Sequence, residues 1–181
     1  MWPAKILRLF QTVPPNPSDC DFLGPFNALL YTLFPPETDF VVVPTYSQDP
    51  DSVEFTVMFE VRLFNDTFLI VELNPPGYHG VLSRRQIADD QIRIRMRDIF
   101  GSCPLETLHG VSAFGTKLCF YSIHTRDKHP AIMPFGIPSD PVRLNDTAPA
   151  SRWDCDILEL AGEERFRAVV EEIKAVSAAL A

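Results

Sequence analysis

The run Phe68-Leu69-Ile70-Val71-Glu72-Leu73-Asn74-Pro75-Pro76 sets one carboxylate near the end of an apolar, strand-favouring stretch that Pro-Pro then stops. A strand this apolar reads as buried on both faces. A carboxylate there is costly unless it is paired, hydrated or metal-bound. Glu72 therefore stands where a site would be built, and Asn74, two residues on, shares its face. The plainer reading is a core strand whose last charged side chain reaches water.

Other residue types with chemistry are less organised. His79, His109, His124 and His129 invite a metal or triad reading, but no two stand at a recognised ligand spacing. Structural or surface roles are expected for each. Cys20, Cys103, Cys119 and Cys155 lie far apart without a C-x-x-C pair. That argues against a zinc knuckle or a dense disulfide framework and predicts reduced, mostly buried thiols. Cys103 or Cys119 can be drawn with His109 and Asp127 as a thiol-protease triad, yet nothing marks either cysteine as activated. Gly110-Val111-Ser112-Ala113-Phe114-Gly115 is not a G-x-S-x-G elbow, and Gly115 reads as a hairpin turn. Arg84, Arg85, Arg93, Arg95 and Arg97 crowd one short segment. They form either a solvated helix face or, for Arg84, Arg93, Arg95 and Arg97, a phosphate- or partner-contacting face beside Glu72.

At 181 residues the chain reads as a single domain with room for a sizeable core. Its net charge of -8 disfavours non-specific binding to nucleic acid, which needs clustered Lys and Arg. A protein partner or a homodimer remains open. The apolar runs are too short to span a bilayer, so no membrane partner is expected. No apolar signal-peptide core follows Met1-Trp2-Pro3-Ala4-Lys5, and an intracellular location, cytoplasm or nucleus, is expected.

The elements that must position these residues follow from periodicity and punctuation. Residues 1–17 end in Pro14-Pro15-Asn16-Pro17 and read as an extended arm. Ser18 with Asp21 forms a capping-box-like start to a helix carrying Phe22, Phe26, Leu29, Leu30 and Leu33, stopped by Pro35-Pro36. Asp39 to Thr45 reads as a strand, and Gln48 to Ser52 as a turn. Val53 to Phe64 alternates with strand period, Asn65-Asp66 turns, and Thr67 to Leu73 returns antiparallel. A second helix spans Ser83 to Phe100, with Ile87, Ile94 and Phe100 expected on its buried side, helped by Ala88, Gln91 and Met96. Leu108 to Ala113 and Lys117 to His124 read as strands. A proline-rich loop and a last helix from about Asp154 to Leu180 follow. Asp154 or Asp156 would suit that helix's dipole, and Trp153 would anchor it to the core. The fold class is α/β (mixed α+β), a central mixed sheet with a three-strand meander flanked by helices.

That order, with an acid closing the third strand, resembles the PD-(D/E)XK nuclease-like superfamily, which has a restriction-endonuclease-like core. Phe68–Pro76, Arg84–Arg97 and Cys103–Tyr121 also look like a set of uncharacterised fungal proteins of that type, which typically end the third strand with Glu-Val-Lys-Pro-Pro. The resemblance covers residues 18 to 124, leaving 125–181 as loop and C-terminal helix. It implies metal-dependent phosphodiester hydrolysis by Mg²⁺ or Mn²⁺, held by carboxylates that suit hard cations. It makes Glu72 the third-strand acid and metal ligand. Asn74 takes the place of the charge-stabilising lysine. Glu54 becomes the second-strand acid and second ligand, with Glu60 as its rival. Gln91 becomes the supporting glutamine, and Asp19 or Asp21 the first-helix acid. Two departures stand out. Asn74 carries no positive charge and cannot serve as acid or base, and Glu54 in place of aspartate lengthens the reach to a metal. The alternative implied is a catalytically inactive nuclease fold serving as a protein-interaction or ligand-binding module.

Overall fold

The computed structural model describes residues 1–48, 55–64 and 66–177. Glu54, the hairpin residue Asn65, the end of the expected last helix and all of the expected Gln48–Ser52 turn but Gln48, which closes the first strand instead, lie outside them. Helices α1 (Ala4–Gln11) and α2 (Leu23–Leu33) lead into strands β1 (Phe40–Gln48), β2 (Phe55–Leu63) and β3 (Asp66–Asn74). Helix α3 (Leu82–Ile99) follows, then β4 (Thr107–Phe114), β5 (Lys117–His124), β6 (Ile132–Met133), β7 (Cys155–Asp156) and α4 (Leu160–Ser177).

The described strands form one mixed sheet in the order β1-β2-β3-β4-β5-β6, with β7 also on β5. The meander β1–β2–β3 is antiparallel, β3 and β4 are parallel, and β4–β5 is a hairpin. Parallel pairing of β3 with β4 requires a crossover, and α3 supplies it. Gly115, at φ +61°, makes the β4–β5 turn, a conformation that costs glycine nothing.

Helices cover both faces. On one, α3 lies close over β4: a Cβ at Gly110 would stand 2.8 Å from Met96 Sδ and 3.2 Å from Ile92 Cδ1. On the other, Phe34 at the end of α2 meets Phe40 of β1 with ring centroids 5.0 Å apart, and Phe166 of α4 meets Phe120 of β5 at 6.1 Å. The aliphatic and aromatic core runs through both interfaces, with Phe26, Leu29, Leu30, Val61, Ile70, Val71, Val111 and Ile173 fully buried.

Three expectations are corrected. The N-terminal arm is not wholly extended, because Ala4–Gln11 is helical with Ile6 and Phe10 buried. Trp2, Ile6 and Phe10 stand at four-residue spacing, which gives a short helix one apolar stripe. The buried side of α3 is Arg85, Ala88, Asp89, Ile92, Arg93 and Met96, whereas Ile87 and Ile94 are exposed. Charged residues lie inward because they are paired there. The last helix begins at Leu160, since Cys155 and Asp156 are taken up by pairing with Leu118 and Lys117. Asp156 accepts from Thr116 Oγ1 at 2.7 Å and from the Leu158 N–H at 3.0 Å. Trp153 is buried, its ring 4.9 Å from that of Phe114.

Candidate functional site

Glu72 sits third from the end of β3, opposite Met58 of β2 and Ser112 of β4. Cross-strand partners share a face, and this is the face under α3. The side chain is 0 % exposed. Asn74 Nδ2 donates to Glu72 Oε2 at 3.3 Å and lies 3.4 Å from Ser112 Oγ as donor. Glu72 Oε1 has no hydrogen-bond partner among the described residues. Burial pushes the carboxyl up to about 8; Ser112 and Asn74 pull it down, and the charge of Asp89 adds to the rise. At neutral pH Glu72 is therefore mostly the uncharged acid.

A hard divalent cation needs ionised or carbonyl oxygens around it. Across from Glu72, Met58 offers only a soft thioether. Glu60, on the same face two residues further along β2, is fully buried and already engaged. Arg62 Nε donates to it at 2.9 Å, Arg95 Nε at 3.0 Å and Thr67 Oγ1 at 3.3 Å. Burial works to raise its pKa, but the hydrogen bonds and charges of Arg95 and Arg62 outweigh it and hold the group below the usual carboxylate range. Among the described residues no cluster of three or more His, Cys, Asp or Glu stands ready for a metal. Neither Met58 nor Glu60 therefore offers Glu72 a free second oxygen ligand, and Glu54, the other ligand expected, lies outside the described residues. Gln91 is half-buried on α3 and makes no hydrogen bond to Glu72 among them. Asp19 accepts from the Cys20 N–H at 2.9 Å, and Asp21 from the Ser18 N–H and hydroxyl at 2.8 Å each, so both act at the helix start.

The arginine-rich helix fastens the proline-rich loop. Asp89 is buried and accepts from Arg93 Nε at 2.7 Å, Arg152 Nη1 at 2.6 Å and Tyr121 Oη at 2.8 Å. Arg93 Nη2 also donates to the Pro134 carbonyl at 2.7 Å, and Arg152 Nη2 to that of Phe135 at 2.7 Å. Arg85 donates to the carbonyls of Ala148 and His79, each at 2.9 Å, and pairs with Asp146 at 2.7 Å. Of the arginines expected at a phosphate, Arg93 is buried in this network and Arg95 is held by Glu60. Arg84 lies over the Tyr78 ring at 4.4 Å, and Arg97 is exposed.

Among the described residues the histidines and cysteines form no triad. His109 is buried with Nε2 3.2 Å from Glu172 Oε1; desolvation lowers its pKa while Glu172 opposes the shift. His79 Nε2 is 3.3 Å from the Ala150 carbonyl, and its ring meets those of Phe114 and Trp153. His124 and His129 are exposed. All four cysteines are free. Burial pushes the Cys119 thiol up to about 12 and raises Cys103 as well, the opposite of activation. Asp127 is exposed.

Ser112, Asp89, Tyr121 and Arg152 carry the local chemistry, and sequence reasoning missed their roles. Asp89 and Arg93 stand at helical i,i+4 spacing, a signal that could have found the pair. A lone hydroxyl in the apolar strand around Ser112 was the other. No family model, curated protein or solved structure matches this chain.

Proposed function

We propose that this chain is a restriction-endonuclease-like fold in which the third-strand acid has become a neutral core carboxyl. On this reading it acts as a protein-interaction or ligand-binding module and not as a Mg²⁺- or Mn²⁺-dependent nuclease. The order of helix, three-strand meander, crossover helix and parallel strand supports the first half. The observation that carries the second is Glu72 itself, 0 % exposed, with a pKa of about 8 and faced by Met58. The position of the motif lysine holds Asn74, which hydrogen-bonds the carboxyl in place of stabilising a phosphate. The excess negative charge and the inward use of Arg93 and Arg95 also weigh against a nucleic-acid substrate.

Titration calorimetry with Mn²⁺ tests this on the wild type and on Glu72→Gln. Neither protein should show saturable binding, and neither should nick plasmid DNA with Mn²⁺ present. Stoichiometric Mn²⁺ binding by the wild type that Glu72→Gln removes would overturn the reading and restore a metal centre.

A further inference from the structure

The outer edge of β5 is covered unevenly. β6 pairs with Ser122 and Ile123, and β7 with Lys117 and Leu118. Cys119, Phe120 and Tyr121 lie between, with no strand beside them among the described residues. The Thr116 carbonyl accepts from the Ile157 N–H at 2.9 Å, and the Leu118 carbonyl from Cys155 Sγ at 3.8 Å. In an antiparallel ladder the N–H and C=O of one residue point the same way, and successive residues alternate. Phe120 is therefore the next residue to aim both groups outward, and its rung is empty.

That rung opens into a cleft of about 410 Å³. Met133, Pro134 and Val169 give it apolar surface, and Arg152, Asp154 and Arg165 give it charge. Arg152 is the second of two guanidiniums on the one carboxylate of Asp89, so that buried cluster keeps a net positive charge. Arg165 pairs with Asp154 at 2.9 Å and lies over the Phe120 ring at 4.5 Å. Its side chain is 46 % exposed, which leaves further N–H donors open to a ligand. One main-chain donor, one main-chain acceptor and a surplus of guanidinium thus meet in one cleft of an acidic protein. The bridges at Leu118 and Ser122 close both ends of the gap. The four intervening steps span only about 14 Å, too short for a strand to run through.

We propose that this cleft binds a carboxylate adjoining an amide. The amide N–H donates to the Phe120 carbonyl, one carboxylate oxygen accepts from the Phe120 N–H while the other is held at Arg165, and an apolar side chain lies against Met133 and Val169. Two sources carry this chemistry: a free N-acyl amino acid and the C-terminal residue of a peptide. The site is separate from Glu72 and stands whether or not that residue ever meets a metal.

The test is titration of the ¹⁵N-labelled full chain, read at the Phe120 amide and its neighbours by NMR. The probes are N-acetyl-leucine, the peptide acetyl-Ala-Ala-Leu, and the C-terminal amide of each. The acids should bind saturably and the amides about tenfold more weakly, the scale of one lost charge-assisted hydrogen bond. Arg165→Ala should weaken the acids by a similar factor, Arg165→Lys should recover part of it, and Arg97→Ala on the opposite helix should change nothing. Binding of the free amino acid alone, or of the peptide alone, supports the shared chemistry and names its source. Equal binding of acid and amide overturns the proposal without recourse to any variant, as does the absence of shifts at Phe120.

Discussion

Glu72 makes the stability of the protein depend on pH in a definite direction. Its pKa is about 8 when folded against an ordinary 4.5. The folded state therefore holds a proton that the unfolded chain releases, and stability falls as pH rises from about 4.5 to about 8, then levels off. The full loss is on the order of 4–5 kcal/mol. Glu72→Gln keeps the shape and removes the titration. The difference in denaturant stability between the two proteins should thus grow in favour of the variant across that window. A difference that stays constant from pH 5 to 9 would show that Glu72 does not titrate this way. Asn74→Lys asks a complementary question. In a nuclease lacking only its lysine, restoring the charge would raise cleavage roughly 10²–10³-fold. On the present account Asn74→Lys yields no Mn²⁺-dependent nicking of plasmid. Nicking that Glu72→Ala then abolishes would mean that the missing lysine alone had silenced an enzyme.

At the scale of elements, α3 is both the crossover and the clamp on the loop that precedes β7. Asp89→Asn would leave Arg93 and Arg152 facing a neutral amide inside the protein. A loss of about 3–5 kcal/mol is expected, measurable by urea melts. Limited proteolysis should then cut earlier within Pro134–Pro149. An unchanged melt would show that the network contributes nothing. On the other face, Leu30→Ala in α2 should cost about 2–5 kcal/mol, since Leu30 is fully buried. The order of the principal helices and strands was legible because period-two alternation in β2 and Pro-Pro after β3 and α2 are local signals. What was not legible came from pairing at a distance. Register alone decides that Met58 faces Glu72 and that Glu60 meets Arg95. The inward turn of Arg85 and Arg93 depends on carbonyls some 40 to 60 residues away. Likewise, Cys155 and Asp156 left the last helix because β5 offered them a partner, which no local propensity records.

Across the described residues, Glu60 on the sheet and Asp89 on α3 are each matched by arginines within the same interface, whereas Glu72 is buried with no arginine among its partners. No helix of the described residues is long and apolar enough to cross a membrane. The account turns on whether the one acid that closes β3 is charged. The most direct measurement is the ¹³C NMR titration of the Glu72 carboxyl carbon in the folded protein, assigned by its loss in Glu72→Gln. The account predicts a single step with its midpoint near 8. A midpoint in the ordinary carboxylate range, about 4–5, would mean that Glu72 is ionised at neutral pH and free to hold a cation, and would contradict it.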